Sequence, residues 1–323
     1  MRTFLVTGGA GFIGSNIAQA LVQRGDKVRV LDNLSMGYRG NVEAIGRGVE
    51  FIEGDILDPV TVAAAMQGVD CVFHQAALAS VPRSVAQPLD SHAACATGTV
   101  NVLDQARRAG VRRLVYAASS AAYGDQPTSS KRETDLTAPI SPYGAAKLAG
   151  ELYCQAFTAT YGFETVALRY FNVFGPRQDP NSEYSAVIPL FITALLAGKQ
   201  PKIFGDGQQS RDFTYIANVV HGNLLAADAP GVAGRVFNLA NGRQTSLLEL
   251  LEVLNRLLET DVQPQHLPAR VGDVRESLAD ITQSRKLLGY EPQIGFEEGL
   301  RLSIDYYRSI AGARGSRVNA AAS

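Results

Sequence analysis

The sequence predicts an α/β protein, a doubly wound parallel sheet that carries a smaller C-terminal lobe. The chain opens on a short apolar run, Thr3–Thr7 (TFLVT), which enters a glycine-rich turn, GGAGFIG. An amphipathic stretch follows with Ile13, Ile17, Leu21 and Val22 on one side. Further apolar runs recur at Val28–Leu31, Val49–Glu53, Cys71–His74 and Arg113–Ala117. Each ends in a polar or small-residue loop, with helical patterns such as Val60–Met66 and Val100–Arg108 between them. Beyond about Phe171 the texture changes to Pro-, Gly- and polar-rich loops between short helices. Apolar runs without alternation suit strands covered on both faces, and strand–helix alternation builds right-handed crossovers.

Composition narrows the classes. At 323 residues the chain suits one large domain or two sharing an interface. Thirty basic and 31 acidic residues leave a net charge of −1, so no charge-driven nucleic-acid or membrane partner is implied. No apolar run approaches the length of a membrane span, and Met1-Arg2 leads directly into a strand. The cytoplasm is the expected location. Cys71, Cys95 and Cys154 are odd in number and set in apolar surroundings, which reads as reduced, buried thiols rather than a disulfide framework. His92, His221 and His266 lack metal-ligand spacing, so no metal is expected, and His74 reads as a packed core imidazole.

In chain order, Gly8, Gly11 and Gly14 stand between a strand and a helix, the context a dinucleotide fingerprint requires. The first glycine permits the tight turn, and the second lets a pyrophosphate approach backbone N–H groups. The third allows close helix–strand packing, with Phe12 and Ile13 opening the helix whose N-terminus favours phosphate. The second strand ends at Asp32, whose carboxylate can accept from ribose hydroxyls and would repel the extra phosphate of NADP. Asn33 follows, and no Arg occurs until Arg39, so NAD is the expected cofactor. Asp55 and Ile56 can flank the adenine. Ala76, Ala77 and Ala79 can admit the cofactor's backbone, although simple close packing explains them equally well.

The stretch from Ser119 to Lys147 carries the chemistry. It holds a hydroxyl pair, Ser119 and Ser120, then SPYGAAK, in which Lys147 follows Tyr143 by four residues. On a helix these two share one face. A nearby ammonium favours phenolate, so such a tyrosine can exchange a proton with an alcohol. Asp125 and Glu133, in the loop between, read as solvated charges. The helix continues to about Tyr161, and a strand follows at Thr165–Tyr170. The expected organisation is a dinucleotide-binding domain over 1–170, with strands returning near Phe213–Tyr215 and Phe237–Leu239. A substrate-binding lobe over 171–311 and a disordered tail over 312–323 complete it.

Jointly, TGGAGFIG, DNLS, HQAALASVPRS, SSAAYGD, SPYGAAK, LRYFNVFGPRQDP, GDGQQSRDF and GDVRESLAD cover nearly the whole chain. With them the sequence resembles the extended short-chain dehydrogenase/reductase superfamily, whose fold is Rossmann-type, and within it the UDP-sugar 4-epimerases. The resemblance implies that Tyr143 is the base, and that Lys147 binds the nicotinamide ribose and acidifies the tyrosine. Ser119, with Ser120 as its neighbour, hydrogen-bonds the reacting sugar oxygen. It implies a cycle in which the C4 carbon is oxidised to a 4-keto sugar, which turns over in the pocket and is reduced on its other face. Cofactor contacts are carried over to the residues above and to Tyr170. Substrate contacts fall on Ser80, Val81, Asn172, Val187, Arg211, Arg270, Asp273 and Ser277. Arg211 and Arg270 match the diphosphate-binding pair, suited by their fixed charged forks, and Asp273 matches a uridine-ribose contact.

Two positions narrow the reaction. The related 4,6-dehydratases follow the hydroxyl residue with an Asp-Glu pair, whereas Ser119 here precedes Ser120-Ala121, which disfavours dehydration. Ser277 stands where the family varies side-chain size around the sugar's C2 substituent, and a serine leaves room for an N-acetyl group. The expected substrate is therefore UDP-GlcNAc/UDP-GalNAc, with UDP-glucose/galactose or UDP-uronic acids as alternatives. Arg83 is a candidate for a C6 carboxylate or a surface charge. Further alternatives are a nucleotide-sugar reductase or decarboxylase and a non-catalytic NAD(H) sensor. One departure is Cys95, where the family has an asparagine near the cofactor; no basic residue is evident beside it in sequence. The family also implies a homodimer through helices around Val100–Ala106 and Leu148–Tyr161, which otherwise read as ordinary core faces.

Overall fold

The computed structural model describes residues 1–126, 128, 130–180, 186–269 and 274–321, with side chains to residue 310. Six strands lead the main sheet: β1 (Thr3–Thr7), β2 (Lys27–Asp32), β3 (Val49–Glu53), β4 (Cys71–His74), β5 (Arg113–Ser119) and β6 (Glu164–Tyr170). A seventh, Arg235–Leu239, closes one edge. The order is Arg235–Leu239, β6, β5, β4, β1, β2, β3, and every pairing is parallel. Chain order reverses between β1 and β4, so the crevice for a ligand opens at their carboxyl ends.

Strand residues divide by parity between two cores. Phe4, Val6, Val30, Phe73 and Leu168 face one side with Ile17 and Leu21 of α1 (Phe12–Gln23) and with Val219 and Ala226 of the Ile216–Asp228 helix. Leu5, Leu31, Val72, Leu114 and Tyr116 face the other, against Val62, Val102, Leu103, Cys154 and Phe157. Burial on both faces accounts for the absence of polar alternation in the strands.

The Pro142–Tyr161 helix, which carries Tyr143 and Lys147, is defined at both ends by its own sequence. Ser141 Oγ accepts the Gly144 N–H at 3.1 Å and Pro142 takes the first helical position. Gly162, at φ 66°, terminates it in the left-handed conformation that glycine adopts without strain. The helix is bolted to β6 by a buried ion pair: Arg169 donates to both Glu151 oxygens at 2.6 and 2.9 Å, and its guanidinium lies over the Tyr123 ring at 4.5 Å.

The lobe is built on short strands. Ser210–Asp212 pairs antiparallel with Gln244–Ser246 and parallel with Glu276–Ser277, in a register that sets Ser277 beside Arg211. Lys202–Phe204 pairs with Gln265–Leu267. Of the two stretches read as returning strands, Arg235–Leu239 joins the main sheet, whereas Thr214–Tyr215 pairs with Val173–Phe174. What returns from there is the Ile216–Asp228 helix, because an apolar helical face covers more of the sheet than a two-residue strand does. The Phe296–Ala321 helix continues its backbone through most of the tail that the composition left without structure. Among the described residues, no helix is long and apolar enough to cross a membrane.

Candidate active site

At the crevice, the glycine turn is shaped by close backbone approaches. Gly8 has φ 68°, and a Cβ on it would lie 2.6 Å from the Ala76 nitrogen, so the β1 and β4 turns abut there. A Cβ on Gly14 would lie 2.2 Å from the Gly8 oxygen, which is the close helix–strand contact expected of the third glycine. The Gly11 N–H donates to Gly8 O at 3.1 Å, and α1 begins at Phe12 and Ile13 with no side-chain cap. Its first amides are therefore available to a phosphate. Asp32, at the end of β2, is buried and receives the Ala10 and Leu34 N–H groups at 2.9 and 2.8 Å. Burial pushes its carboxyl above the ordinary range. Each oxygen keeps a lone pair for a ribose hydroxyl, so these residues fit a dinucleotide.

The neighbouring loops complete that rim. Asn33 Nδ2 donates to Asp55 Oδ2 at 2.9 Å, while Asp55 Oδ1 accepts the Leu57 N–H at 2.8 Å. Ile56 is buried, with its side chain against Gly98, and its carbonyl accepts Asn101 Nδ2 at 2.6 Å. Ala77 packs with Cys95, Ala96, Ala146 and Tyr143, and Ala79 lies one residue before the cap of the next helix. Tyr170 pairs in register with Ser119, but its hydroxyl is turned inward to Asn223 (2.9 Å) and Gln75 (3.2 Å).

The groups expected to handle protons meet at the end of β5. Ser119 Oγ accepts the Ala121 N–H at 3.2 Å and stands close enough to the Tyr143 phenol to influence its proton. Ser120 starts the short turn that follows, its carbonyl accepting the Tyr123 N–H. Burial pushes the Tyr143 phenol up, with Cys95 adding to the rise and the Ser119 hydroxyl opposing it. Lys147 is 2% exposed, and burial lowers its pKa. Its ammonium lies over the Tyr116 ring at 4.4 Å.

Cys95 is fully buried in a π-helical turn, Ala93–Thr97, a form of helix frequent at functional sites. The sequence showed no basic residue beside it; the fold brings Lys147 there from another helix. His74 is the packed imidazole expected, held down to about 3 by burial and by the Lys147 charge. Glu133 corrects the solvated reading: it is partly buried and accepts the Asn238 N–H at 2.8 Å, and burial raises its pKa.

Asn238, on the edge strand, also staples the loop after the serines. It accepts from Tyr123 Oη at 2.7 Å and donates to the carbonyls of Lys131 and Asp280. Lys131 in turn exchanges backbone hydrogen bonds with Leu278 and Asp280.

The lobe supplies a cleft of about 270 Å³ lined by Asn172, Val187, Phe191, Phe204, Gln209 and Arg211, among others. Asn172 has φ 31° and its amide approaches Ser277 Oγ at 3.5 Å, so Asn172, Val187 and Arg211 line the cleft with Ser277 beside them. Arg211 donates to the carbonyls of Ser210 and Arg275. Ser80 is buried as a helix cap, its Oγ accepting the Arg83 N–H, and Val81 is exposed beside it. Arg270 and Asp273 lie outside the described residues. A larger cleft of about 560 Å³, between Tyr38, Arg177, Tyr306 and Tyr307, holds none of the expected site residues. The smaller one is therefore the candidate.

Sequence reasoning missed Tyr116, the Arg169–Glu151 pair and Asp212, whose buried carboxylate accepts the N–H groups of Asn241, Gly242 and Ala279. The usable signal was a charge inside an apolar run: Arg169 in VALRYF and Asp212 in SRDFTY.

With that geometry described, comparison with known proteins is informative. The model of the NAD dependent epimerase/dehydratase family matches residues 4–240. A UDP-glucose 4-epimerase of Mycolicibacterium smegmatis is 38% identical over 313 residues, covering 96% of this chain and 99% of that one. A UDP-N-acetylglucosamine 4-epimerase of Methanobrevibacter ruminantium, solved with UDP-N-acetylmuramic acid, superposes with TM-score 0.91 at 40% identity, over 95% of this chain and 98% of that one. A UDP-glucuronic acid 4-epimerase of Bacillus cereus, solved with UDP-glucuronic acid and NAD, gives TM-score 0.89 at 30% identity, over 95% and 99%.

Proposed function

The chain belongs to the NAD dependent epimerase/dehydratase family and is an NAD-dependent UDP-sugar 4-epimerase, and we propose that its sugar pair is UDP-GlcNAc and UDP-GalNAc. The observation that carries the sugar assignment is the small Ser277 side chain between Asn172 and Arg211, which leaves space where an aromatic residue would exclude an N-acetyl group. The Methanobrevibacter relative, a UDP-N-acetylglucosamine 4-epimerase, supports it. The candidate cation of the uronic-acid alternative is Arg83. Arg83 is turned toward Gln87 (3.3 Å) and Met36 Sδ (3.5 Å), beside the loop after β2.

In this reading Tyr143 takes the proton from the C4 hydroxyl and returns it after the sugar has turned. Ser119, whose hydroxyl lies beside the phenol, holds the C4 oxygen. NAD, held by the Gly8–Gly14 turn and Asp32, would supply the hydride acceptor and donor for C4. Lys147 supplies a positive charge one helical turn from the phenol. Arg211, with Arg270, neutralises the diphosphate, and Asp273 holds the uridine ribose. Positioning the reacting atoms in a closed cleft supplies several powers of ten in rate, and proton transfer through Tyr143 about 10²–10⁴-fold. Ser119 has no carboxylates after it to eliminate water, so the keto sugar stays a 4-epimerisation intermediate.

We read the chain as a cytoplasmic homodimer. The exposed Leu152 and Tyr153 of the Pro142–Tyr161 helix, with exposed Val85 and Leu89 nearby, offer an apolar surface to a second copy. Sedimentation of the purified chain would reject this by finding a monomer at micromolar concentration.

The deciding experiment is product analysis with purified protein, NAD⁺ and separate UDP-GlcNAc, UDP-glucose and UDP-glucuronic acid incubations. Interconversion of gluco and galacto forms, fastest with UDP-GlcNAc and without net NADH, is the expected result. Faster turnover of either other sugar overturns the sugar assignment.

A further inference from the structure

We infer that Tyr116 is a positioning residue for the reaction: its ring face seats the Lys147 ammonium while its hydroxyl holds the Lys147 backbone. The inference rests on the reading that Lys147 serves the chemistry, and it concerns what keeps that lysine charged and in place.

Four observations converge on this contact. Tyr116 is fully buried on β5, three residues before Ser119, and Lys147 Nζ lies 4.4 Å from its ring centroid. A cation is drawn to the electron-rich face of an aromatic ring, most strongly where water is excluded. Tyr116 Oη also donates to the Lys147 carbonyl at 3.1 Å, so one residue is gripped at its head and at its backbone. The helix has been cut to fit. A Cβ on Gly150, one turn beyond Lys147, would stand 2.3 Å from Tyr116 Oη, so only glycine admits the phenol beneath the helix.

The groups facing the ammonium give it no other favourable charge. Cys95 approaches from the π-helical turn, and Tyr143 and Cys154 lie on its own helix. Glu151, also on that helix, is consumed by Arg169. Among the described residues no carboxylate forms an ion pair with Lys147.

Behind the ring stands His74, 5.7 Å away centroid to centroid, with two threonine partners. Thr99 Oγ1 donates to the Cys95 carbonyl at 2.7 Å, so it accepts from His74 Nε2–H at 3.0 Å. Nδ1 is left to accept from Thr7 Oγ1 at 2.6 Å. Burial and the Lys147 charge keep the imidazole neutral, so it places no second positive charge behind the ring. The same chain of bonds joins β1, beside Gly8, to the turn carrying Cys95.

The test compares rings of the same shape. Tyr116→Phe keeps the electron-rich face and loses the hydroxyl, while pentafluorophenylalanine at position 116 keeps the shape and reverses the electrostatics of the face. Tyr116→Leu removes the ring altogether. Two quantities are read: the titration of Lys147 by NMR with ¹³C-labelled lysine, identified against Lys147→Met, and the pH dependence of kcat/KM.

Tyr116→Phe is expected to titrate Lys147 as the wild type does. The fluorinated ring is expected to lower that titration by about one pH unit and kcat/KM by on the order of tenfold. Its acidic limb should move upward, because a weaker positive charge favours phenolate less. Tyr116→Leu should follow the fluorinated variant. Identical Lys147 titrations in the wild-type and fluorinated proteins would overturn the proposal, as would a phenylalanine variant whose Lys147 titration falls as far as that of the fluorinated one, because the ring face would then not be the seat of the ammonium. If the wild type epimerises no UDP-hexose, the functional reading fails, while the Lys147 titration still decides whether the ring is its seat.

Discussion

In the sheet half the site is made largely of backbone, whereas in the lobe it is made of side chains on strands of two or three residues. Gly8 and Gly14 meet Ala76 and Gly8 O at distances where a single carbon would clash, and Asp32 is held by two amides. Arg211, Asn172 and Ser277 instead reach their cleft as side chains, the last two 3.5 Å apart. Backbone geometry of this kind tolerates few substitutions, while a side chain can be exchanged with little effect on the strand beneath it. Relatives with the same architecture are accordingly known as epimerases of UDP-glucose, UDP-N-acetylglucosamine and UDP-glucuronic acid. On the proposed reading, chemistry falls to the rigid half and substrate choice to the adjustable one.

Several substitutions would break or sharpen that contrast. The largest expected effect is from Tyr143→Phe in the rigid half. It should cut turnover by about 10²–10⁴-fold, because only the exchangeable proton is lost, and leave NAD affinity nearly unchanged in a calorimetric titration. Turnover near the wild-type rate would reject the assigned base. Next, Arg169→Met strands a buried Glu151 carboxylate and should cost about 3–5 kcal/mol in denaturant unfolding. A loss under 1 kcal/mol would mean that the pair does not lock the catalytic helix to β6.

The two halves should also answer acid in opposite directions. His74 is held at about 3, below its unfolded value, so its contribution is present above pH 6.5 and lost as pH falls, up to about 5 kcal/mol by pH 3. Asp212 is raised by burial to about 6. Its contribution is therefore present below the unfolded value near 4 and lost as pH rises through 6, about 3 kcal/mol in all. Unfolding measured from pH 4 to 7 should show His74→Gln less acid-sensitive than the wild type and Asp212→Asn more so. Parallel curves for all three proteins would refute both assignments.

The smallest effect is in the lobe. Ser277→Tyr should lower kcat/KM for UDP-GlcNAc by on the order of 10- to 100-fold relative to UDP-glucose, with the melting temperature nearly unchanged. A variant that loses both sugars equally would show that position 277 supports the cleft and does not select.

Most of this was legible beforehand where local rules act alone. The strands announced themselves as apolar runs, the first turn by its glycines, and the Tyr143 helix by its spacing, with an end expected near Tyr161. The paired positions Tyr143 and Lys147 follow from helical spacing. Contacts that depend on tertiary packing were not legible. Nothing in RLVYAAS distinguishes Tyr116 from any other strand aromatic, since its role arises only when Gly150 brings the helix down onto it. Glu133 looked solvated because its partner is 105 residues away, on the edge strand. Thr214–Tyr215 read as a returning strand because its apolar texture cannot say which neighbour it will pair with.

Asn238 has a consequence for how the halves communicate. Through it the loop after Ser119 is tied to the outermost strand, and through Lys131 that loop shares backbone hydrogen bonds with the segment just after Ser277. A sugar that shifts the 276–280 segment must therefore shift the Ser119 loop. Any such change in one site's affinity obliges an equal change in the other's. Nucleotide sugar should tighten the grip on dinucleotide by the same factor that dinucleotide tightens the grip on sugar. Cooperative retention of this kind would keep a half-reacted ketone and its reductant in one chamber until both can leave restored.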